Sequence, residues 1–275
     1  MITSSYRPRV LAHRGSSGNA AEHTLASYRA ALEGGADGLE CDVRLTRDGV
    51  PVCIHDRRVD RTSDGAGVVS TLALADLEEL DFAGAPGGAR IEEADRDGSG
   101  VLTLERLLDV VVEHGAPVEL VIETKHPNRH GRSVERRVVD LLRARDLHRG
   151  PVPGRPSVRL MSFSALALAR AKKLAPDLPT VFLMTRAVPP LAAERPPGAA
   201  DAVGPSIGFL RRDPAFAERM HRRGRQVLVW TVNSRADLEL CCRAGVDAVI
   251  SDRPREIREL LDGPQEHGQA GGGLG

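Results

Sequence analysis

Between Leu39 and Asp56 the chain reads LECDVRLTRDGVPVCIHD, which sets Glu40, Asp42, His55 and Asp56 on what otherwise look like two short apolar strands. Side chains two apart on a strand share a face, so Glu40 and Asp42 point the same way. Thr46-Arg47-Asp48-Gly49 is a turn signal, and Asp-Gly favours a two-residue hairpin loop. With Asp48 and Gly49 at the centre of that loop, Asp42 falls opposite His55, and Glu40, Asp42 and His55 converge. Two carboxylates on one face repel each other and are costly to bury without a counter-charge. A divalent cation meets that need, and hard oxygen ligands suit Mg²⁺ or Ca²⁺. Asp56 has the opposite parity to His55 and is expected to support the arm or to cap the next turn.

Other strand ends add to this cluster. VELVIETK closes on Glu123 and Lys125, again two apart; RVLAHRG closes on His13 and Arg14; QVLVWTVN carries Trp230, the only tryptophan. Glu40, Asp42 and Glu123 together would make a cation site. Arg14 and Lys125 beside it would make a pocket for an anion, above all a phosphate. His13 and His55 supply an acid and a base that work near neutral pH. Such a set suits cleavage of a phosphodiester: one histidine takes a proton from the attacking hydroxyl, and the other gives one to the leaving oxygen. Ser162, Asn233 and Asp252 also sit at strand ends, within reach of such a pocket. His126 adjoins Lys125 with the opposite parity, and a structural role is expected for it.

These side chains meet only if the strand ends meet. Strand-like runs occur at 9–15, 37–45, 118–125, 157–163, 179–184, 200–206, 226–232 and 247–252, with 50–56 as an extra arm. Runs of helical periodicity lie between them, several ending in glycine, with Ser133, Ser164 and Ser234 at expected N-caps. Repeated β-then-α order implies a parallel sheet. Eight such units in this length fit an α/β (β/α)8 TIM barrel better than an open sheet. HRGSSGNA is a poor match to the glycine-rich turn that a dinucleotide-binding sheet would need. In a barrel the strand ends gather at one face, which brings His13, Arg14, Glu40, Asp42, His55, Glu123, Lys125 and Trp230 to one mouth. The expected organisation is a single barrel domain over residues 1–263. A small insertion at 57–100 follows the second-strand hairpin, and a disordered tail covers 264–275. The insertion offers one helical stretch, TLALADLEEL, and a loop rich in Gly, Asp and Arg; the segment 189–197 is too proline-rich for a helix.

Composition narrows the classes. Of 275 residues 41% are hydrophobic but only 3% aromatic, so the core must be built from Leu, Val, Ala and Ile. Lys plus Arg and Asp plus Glu number 38 each, and a balanced charge gives no support for a nucleic-acid or membrane-surface partner. No apolar run reaches the length of a membrane span. The first residues lack the apolar stretch of a secretory signal, and the four cysteines form no Cys-x-x-Cys pair. A reducing, cytoplasmic location with no stable membrane association is expected; the oligomeric state is not written in the sequence.

AHRGSSGNAAEHTLASYRAALEGGADGLECDV, then LTRDGVPVCIHD, LVIETK, VLVWTVN and GVDAVISDRP, resemble in that order the glycerophosphodiester phosphodiesterase family. The resemblance runs over most of the chain. It implies a (β/α)8 barrel and hydrolysis of a glycerophosphodiester to an alcohol and glycerol 3-phosphate with one divalent cation, Mg²⁺ or Ca²⁺. It also implies that the glycerol hydroxyl itself attacks phosphorus, giving a cyclic phosphate that water then opens. Carried over residue by residue, it makes His13 and His55 the acid–base pair and Glu40, Asp42 and Glu123 the metal ligands. Arg14 and Lys125 become phosphate contacts, and Trp230 a wall of the substrate pocket. The family's usual Pro-Glu-Asn-Thr appears here as Ala21-Glu22-His23-Thr24, which leaves loop order and substrate fit open. His23 is expected at the surface. A lysophospholipase D or sphingomyelinase D-like phosphodiesterase is one rival reading, and a non-catalytic phosphate-ester binder another.

Overall fold

A computed structural model describes residues 7–82, 100–185 and 200–263 of the chain. The Gly-Asp-Arg-rich loop of the insertion, the proline-rich segment 189–197 and the tail 264–275 lie outside these residues. The strands are β1 (Arg9–His13), β2 (Gly38–Leu45), β3 (Pro51–Cys53), β4 (Glu119–Thr124), β5 (Ser157–Ser162), β6 (Thr180–Met184), β7 (Ala202–Pro205), β8 (Gln226–Trp230) and β9 (Ala248–Ser251). The described helices are α1 (Leu25–Glu33), α2 (Leu74–Glu78), α3 (Leu104–Glu113), α4 (Ser133–Ala144), α5 (Ala165–Leu174), α6 (Ile207–Arg212), α7 (Phe216–His221), α8 (Arg235–Ala244) and α9 (Pro254–Asp262). The strand order β1-β9-β8-β7-β6-β5-β4-β2 closes through a β1–β2 pairing, so eight parallel strands form a (β/α)8 barrel. β3 lies outside the ring. It runs antiparallel to the part of β2 that extends past β1, covering Val43 to Leu45.

Local signals set the helix ends. Thr24, Ser164 and Ser234 cap α1, α5 and α8 by accepting the backbone N–H three residues on, and α8 stops at Gly245 with φ +70°. Ser133 differs from its expected role: it is the first residue of α4, and Arg132 holds the cap position without a side-chain bond. The helical stretch of the insertion is shorter than its periodicity suggests, a 3-10 turn at Val69–Thr71 followed by α2. An apolar cluster of Val52, Ile54, Val59, Val69, Leu77 and Phe82 packs this segment onto the arm.

Inward-facing side chains stack in layers, as strand parity requires. At the bottom Glu119 is bonded by Arg9 and Arg159. Above it Leu11, Val121, Met161, Leu228 and Ile250 share one apolar cluster. Two residues further along β1, β4 and β8 come His13, Glu123 and Trp230. The apolar layer therefore forms the floor on which the polar residues stand. The outer faces of the strands pack against the helices through Leu, Val and Ala, as the low aromatic content anticipated.

Candidate active site

The mouth holds a cavity of about 220 Å³ lined by His13, Arg14, Glu40, His55, Glu123, Lys125 and Trp230, with Met161, Phe163, Leu183 and Ile250 on its apolar side. Seven of the eight residues expected at the mouth thus line one pocket. Asp42 lies just behind the wall, 1% exposed, and Asp56 stands beside His55.

His55 reaches the pocket by a different route from the one its spacing suggested. Val43 pairs with Cys53 and Leu45 with Pro51, so the loop has three residues, Arg47 to Gly49, not two. Gly49, at φ +83°, takes the left-handed position that such a loop requires. That register puts Ile54, not His55, opposite Asp42, and the Ile54 N–H donates to the Asp42 carbonyl. The strand ends at Cys53, and the chain then bends His55 inward. Arg44 holds the bend, its Nε and Nη2 donating to the His55 carbonyl at 3.0 and 2.7 Å.

Both histidines are tethered by the same nitrogen. His13 Nδ1 lies 2.6 Å from Asp252 Oδ1, and His55 Nδ1 lies 2.7 Å from Asp56 Oδ1. A carboxylate there fixes the tautomer with hydrogen on Nδ1 and leaves Nε2 for chemistry. Asp252 is itself held by Asn233 Nδ2 at 2.5 Å and Ser17 Oγ at 3.1 Å. Burial works against ionisation of Asp252, but the bond to His13, the charge of that ring and the bonds from Asn233 and Ser17 together outweigh it and bring the carboxyl down to about 2. Asp56 also falls to about 2, as Arg61 and His55 overcome its partial burial. Burial lowers His55 itself, which favours the neutral ring.

Glu40, Asp42 and Glu123 place ligand atoms within 4.8 Å of one another, all on buried side chains. Burial, then the charge of Asp42, pushes Glu40 well above the usual carboxylate range and Glu123 up to about 7. Asp42 goes the other way. Burial opposes its ionisation, but the hydrogen bond from His23, with Lys125 and Arg14, keeps its carboxyl low. Lys125 Nζ sits 2.8 Å from both Asp42 Oδ1 and Glu123 Oε1, so two acids fix its ammonium at the pocket wall. Glu40 has no such partner: its Oε2 accepts from the Arg14 backbone N–H at 3.2 Å and lies 3.9 Å from His13 Nε2. Three acids thus face two cations. Oxygen-only donors, close spacing and surplus negative charge fit one hard divalent ion.

Arg14 adopts φ +59° and is followed by Gly15 at φ +86°, where a Cβ would meet Ser27 Oγ at 2.2 Å. The left-handed pair turns the chain sharply at the end of β1 and swings the guanidinium back over the acids. Arg14 Nε lies 3.0 Å from Asp42 Oδ2, and Nη1 lies 3.3 Å from Glu22. Arg61 joins this network to the arm, donating to Glu22 at 2.7 and 2.9 Å and to Asp56 at 2.6 Å.

His23 overturns its expected surface placement. It is 6% exposed, with Nε2 3.0 Å from Asp42 Oδ2 and Nδ1 2.8 Å from the Tyr28 hydroxyl. Its φ of +59° points the ring inward, under the loop instead of away from it. Ser162 does not line the cavity; its hydroxyl donates to the Thr124 carbonyl. His126 is structural, 2.6 Å from Glu135 on α4. Sequence reasoning passed over Glu22, Arg61 and the apolar wall. Of these only Phe163, at the end of the MSF strand, carried a positional signal; its ring meets Trp230 edge-on at 5.7 Å.

Residues 13–256 match the model of the glycerophosphoryl diester phosphodiesterase family. A probable glycerophosphodiester phosphodiesterase 1 of Mycobacterium tuberculosis is 42% identical over 265 residues, 95% of each chain. A glycerophosphodiester phosphodiesterase of Bacillus subtilis is 33% identical over 95% of this chain and 89% of its own. Among solved structures, an Oleispira antarctica phosphodiesterase in complex with the product sn-glycerol-3-phosphate superposes with a TM-score of 0.78. It is 28% identical, covering 93% of this chain and 97% of its own.

Proposed function

The chain belongs to the glycerophosphoryl diester phosphodiesterase family and is a glycerophosphodiester phosphodiesterase; we propose that it releases sn-glycerol 3-phosphate and an alcohol by two-histidine acid–base catalysis beside a divalent cation. The observation that carries this reading is the matched pair of tethers, Asp252 on His13 and Asp56 on His55. Both rings thereby offer Nε2 to one pocket. No serine, threonine or cysteine lines the pocket among the described residues, which favours attack by a hydroxyl of substrate or solvent over one from those side chains.

His55, kept neutral by burial, takes the proton of the attacking hydroxyl at Nε2. His13, held by the Asp252 carboxylate at Nδ1 and with Glu40 3.9 Å from Nε2, gives its Nε2 proton to the leaving oxygen. Arg14 and Lys125 contact the phosphoryl oxygens from the pocket wall. Trp230, fixed by its Nε1–H bond of 2.8 Å to the Gly204 carbonyl, packs with Phe163 against the carbon skeleton of the substrate. Glu40, Asp42 and Glu123 would hold Mg²⁺ or Ca²⁺, which when bound offsets charge gathering on the phosphoryl oxygens. The four cysteines are all free and buried, in keeping with a reducing, cytoplasmic setting. No helix among the described residues is long and apolar enough to cross a membrane.

The test is release of sn-glycerol 3-phosphate from glycerophosphocholine, glycerophosphoethanolamine and glycerophosphoinositol, with EDTA, Mg²⁺ or Ca²⁺. Metal-dependent release is expected. Release from lysophospholipids alone, or binding without turnover, would overturn the reading.

A further inference from the structure

Beside the mouth lies a second, larger cavity of about 420 Å³, walled by the end of β2, the 3-10 turn of the insertion and the loop after β4. Arg44, Arg57, Arg129, His130, Asn128 and Ser70 line it, and none of its lining residues among those described is acidic. Several guanidinium groups elsewhere are met by carboxylates, as at Arg61, Arg145 and Arg170. Arg44, Arg57 and Arg129 form no ion pair with the described residues. Two polar atoms of the same wall are buried without a partner, Asn128 Oδ1 and His130 Nε2. Buried polar atoms left this way call for something to enter. Grouped guanidinium groups without acids suit a phosphate. A lone amide oxygen suits a hydroxyl donor.

We propose that this cavity is a second anion site, separate from the reacting phosphate, and that it takes the phosphate-bearing part of a phosphorylated polyol. Arg44 links the two pockets, since the guanidinium lining the cavity also holds the His55 carbonyl. The ligand comes either from the leaving group of a glycerophosphodiester that carries a further phosphate, or from a free polyol phosphate. The first source rests on the hydrolase reading; binding at the cavity does not.

Titration calorimetry of the full chain with myo-inositol 1-phosphate, and with uncharged myo-inositol as control, tests the site. The comparison is with an Arg57→Ala/Arg129→Ala variant, whose two side chains are exposed and form no ion pair to lose; a thermal melt checks that it folds. The wild type is expected to bind two equivalents of the phosphate and none of the control. The variant should lose one equivalent, or bind it at least about tenfold more weakly. No binding by the wild type, or binding in the variant unchanged in count and affinity, would overturn the proposal. The source is read from kcat/KM for glycerophosphoinositol 4-phosphate relative to glycerophosphoinositol. A preference for the phosphorylated ester that falls about tenfold in the variant assigns the tethered group. No preference, with the second equivalent still present, assigns the free ligand. Failure to hydrolyse glycerophosphocholine would remove the hydrolase reading and leave untouched the equivalent that the variant loses.

Discussion

His13 and Asp252 are 239 positions apart, yet Nδ1 meets Oδ1 at 2.6 Å where the first and last strands of the barrel close on each other. Ring closure therefore positions the histidine as well as stabilising the fold. Asp252→Asn is expected to lower kcat about tenfold to a hundredfold, a part of what a whole acid–base group supplies, with KM little changed. Asp56→Asn should do the same through His55. Steady-state kinetics of both variants check this; a loss confined to KM would contradict a positioning role.

The same two carboxylates make stability depend on pH. Asp252 and Asp56 titrate at about 2 when folded, against an ordinary value of 3.8, so the folded state binds their protons less readily than the unfolded chain. Their contribution is complete above about pH 4, declines below it and is gone once pH falls past about 2. Urea midpoints for wild type and Asp252→Asn should differ most at neutral pH and converge from pH 4 downward. A constant difference across that range would contradict the linkage.

His23→Ala is expected to destabilise the fold by about 2–4 kcal/mol, because it opens a cavity and removes a hydrogen-bond partner from Asp42 and from the Tyr28 hydroxyl. His23→Asn should recover part of the loss. Urea denaturation without metal reads both; a change under about 0.5 kcal/mol, typical of surface sites, would return His23 to the surface role its sequence context suggested.

These cases mark what the sequence could carry. His13, Glu40, Glu123 and Trp230 were legible because period-two alternation and strand ends fix which face a side chain takes. His55 was found by a register that is off by one residue, and it converges because the chain bends after Cys53. His23 was misread because nothing local announces a left-handed backbone at a non-glycine residue in a polar loop. Arg61 meeting Glu22, and Glu119 meeting Arg9 and Arg159, depend on strand order and insertion packing, which spacing along the chain does not encode.

The acidic cluster gives two effects of opposite sign. With metal chelated, Glu40→Gln should raise the melting temperature, since it removes one of three crowded carboxyls from a buried site. Added Mg²⁺ or Ca²⁺ should stabilise the wild type, by about 2.7 kcal/mol at a hundred times Kd, and stabilise the variant far less. Scanning calorimetry with EDTA and with each metal separates the two. Equal metal shifts in both proteins would place the ion elsewhere.

The division of labour between the histidines is tested most directly by changing the leaving group. kcat/KM would be measured for His13→Ala and His55→Ala on glycerophosphocholine and on glycerol p-nitrophenyl phosphate, whose leaving oxygen needs no proton. His13→Ala should lose about 10²–10⁴-fold on the choline ester and recover to within about tenfold of wild type on the nitrophenyl ester. His55→Ala should lose activity on both, because the attacking hydroxyl still needs a base. Equal losses on both esters for both variants, or the reverse pattern, would contradict the assignment of His13 as acid and His55 as base.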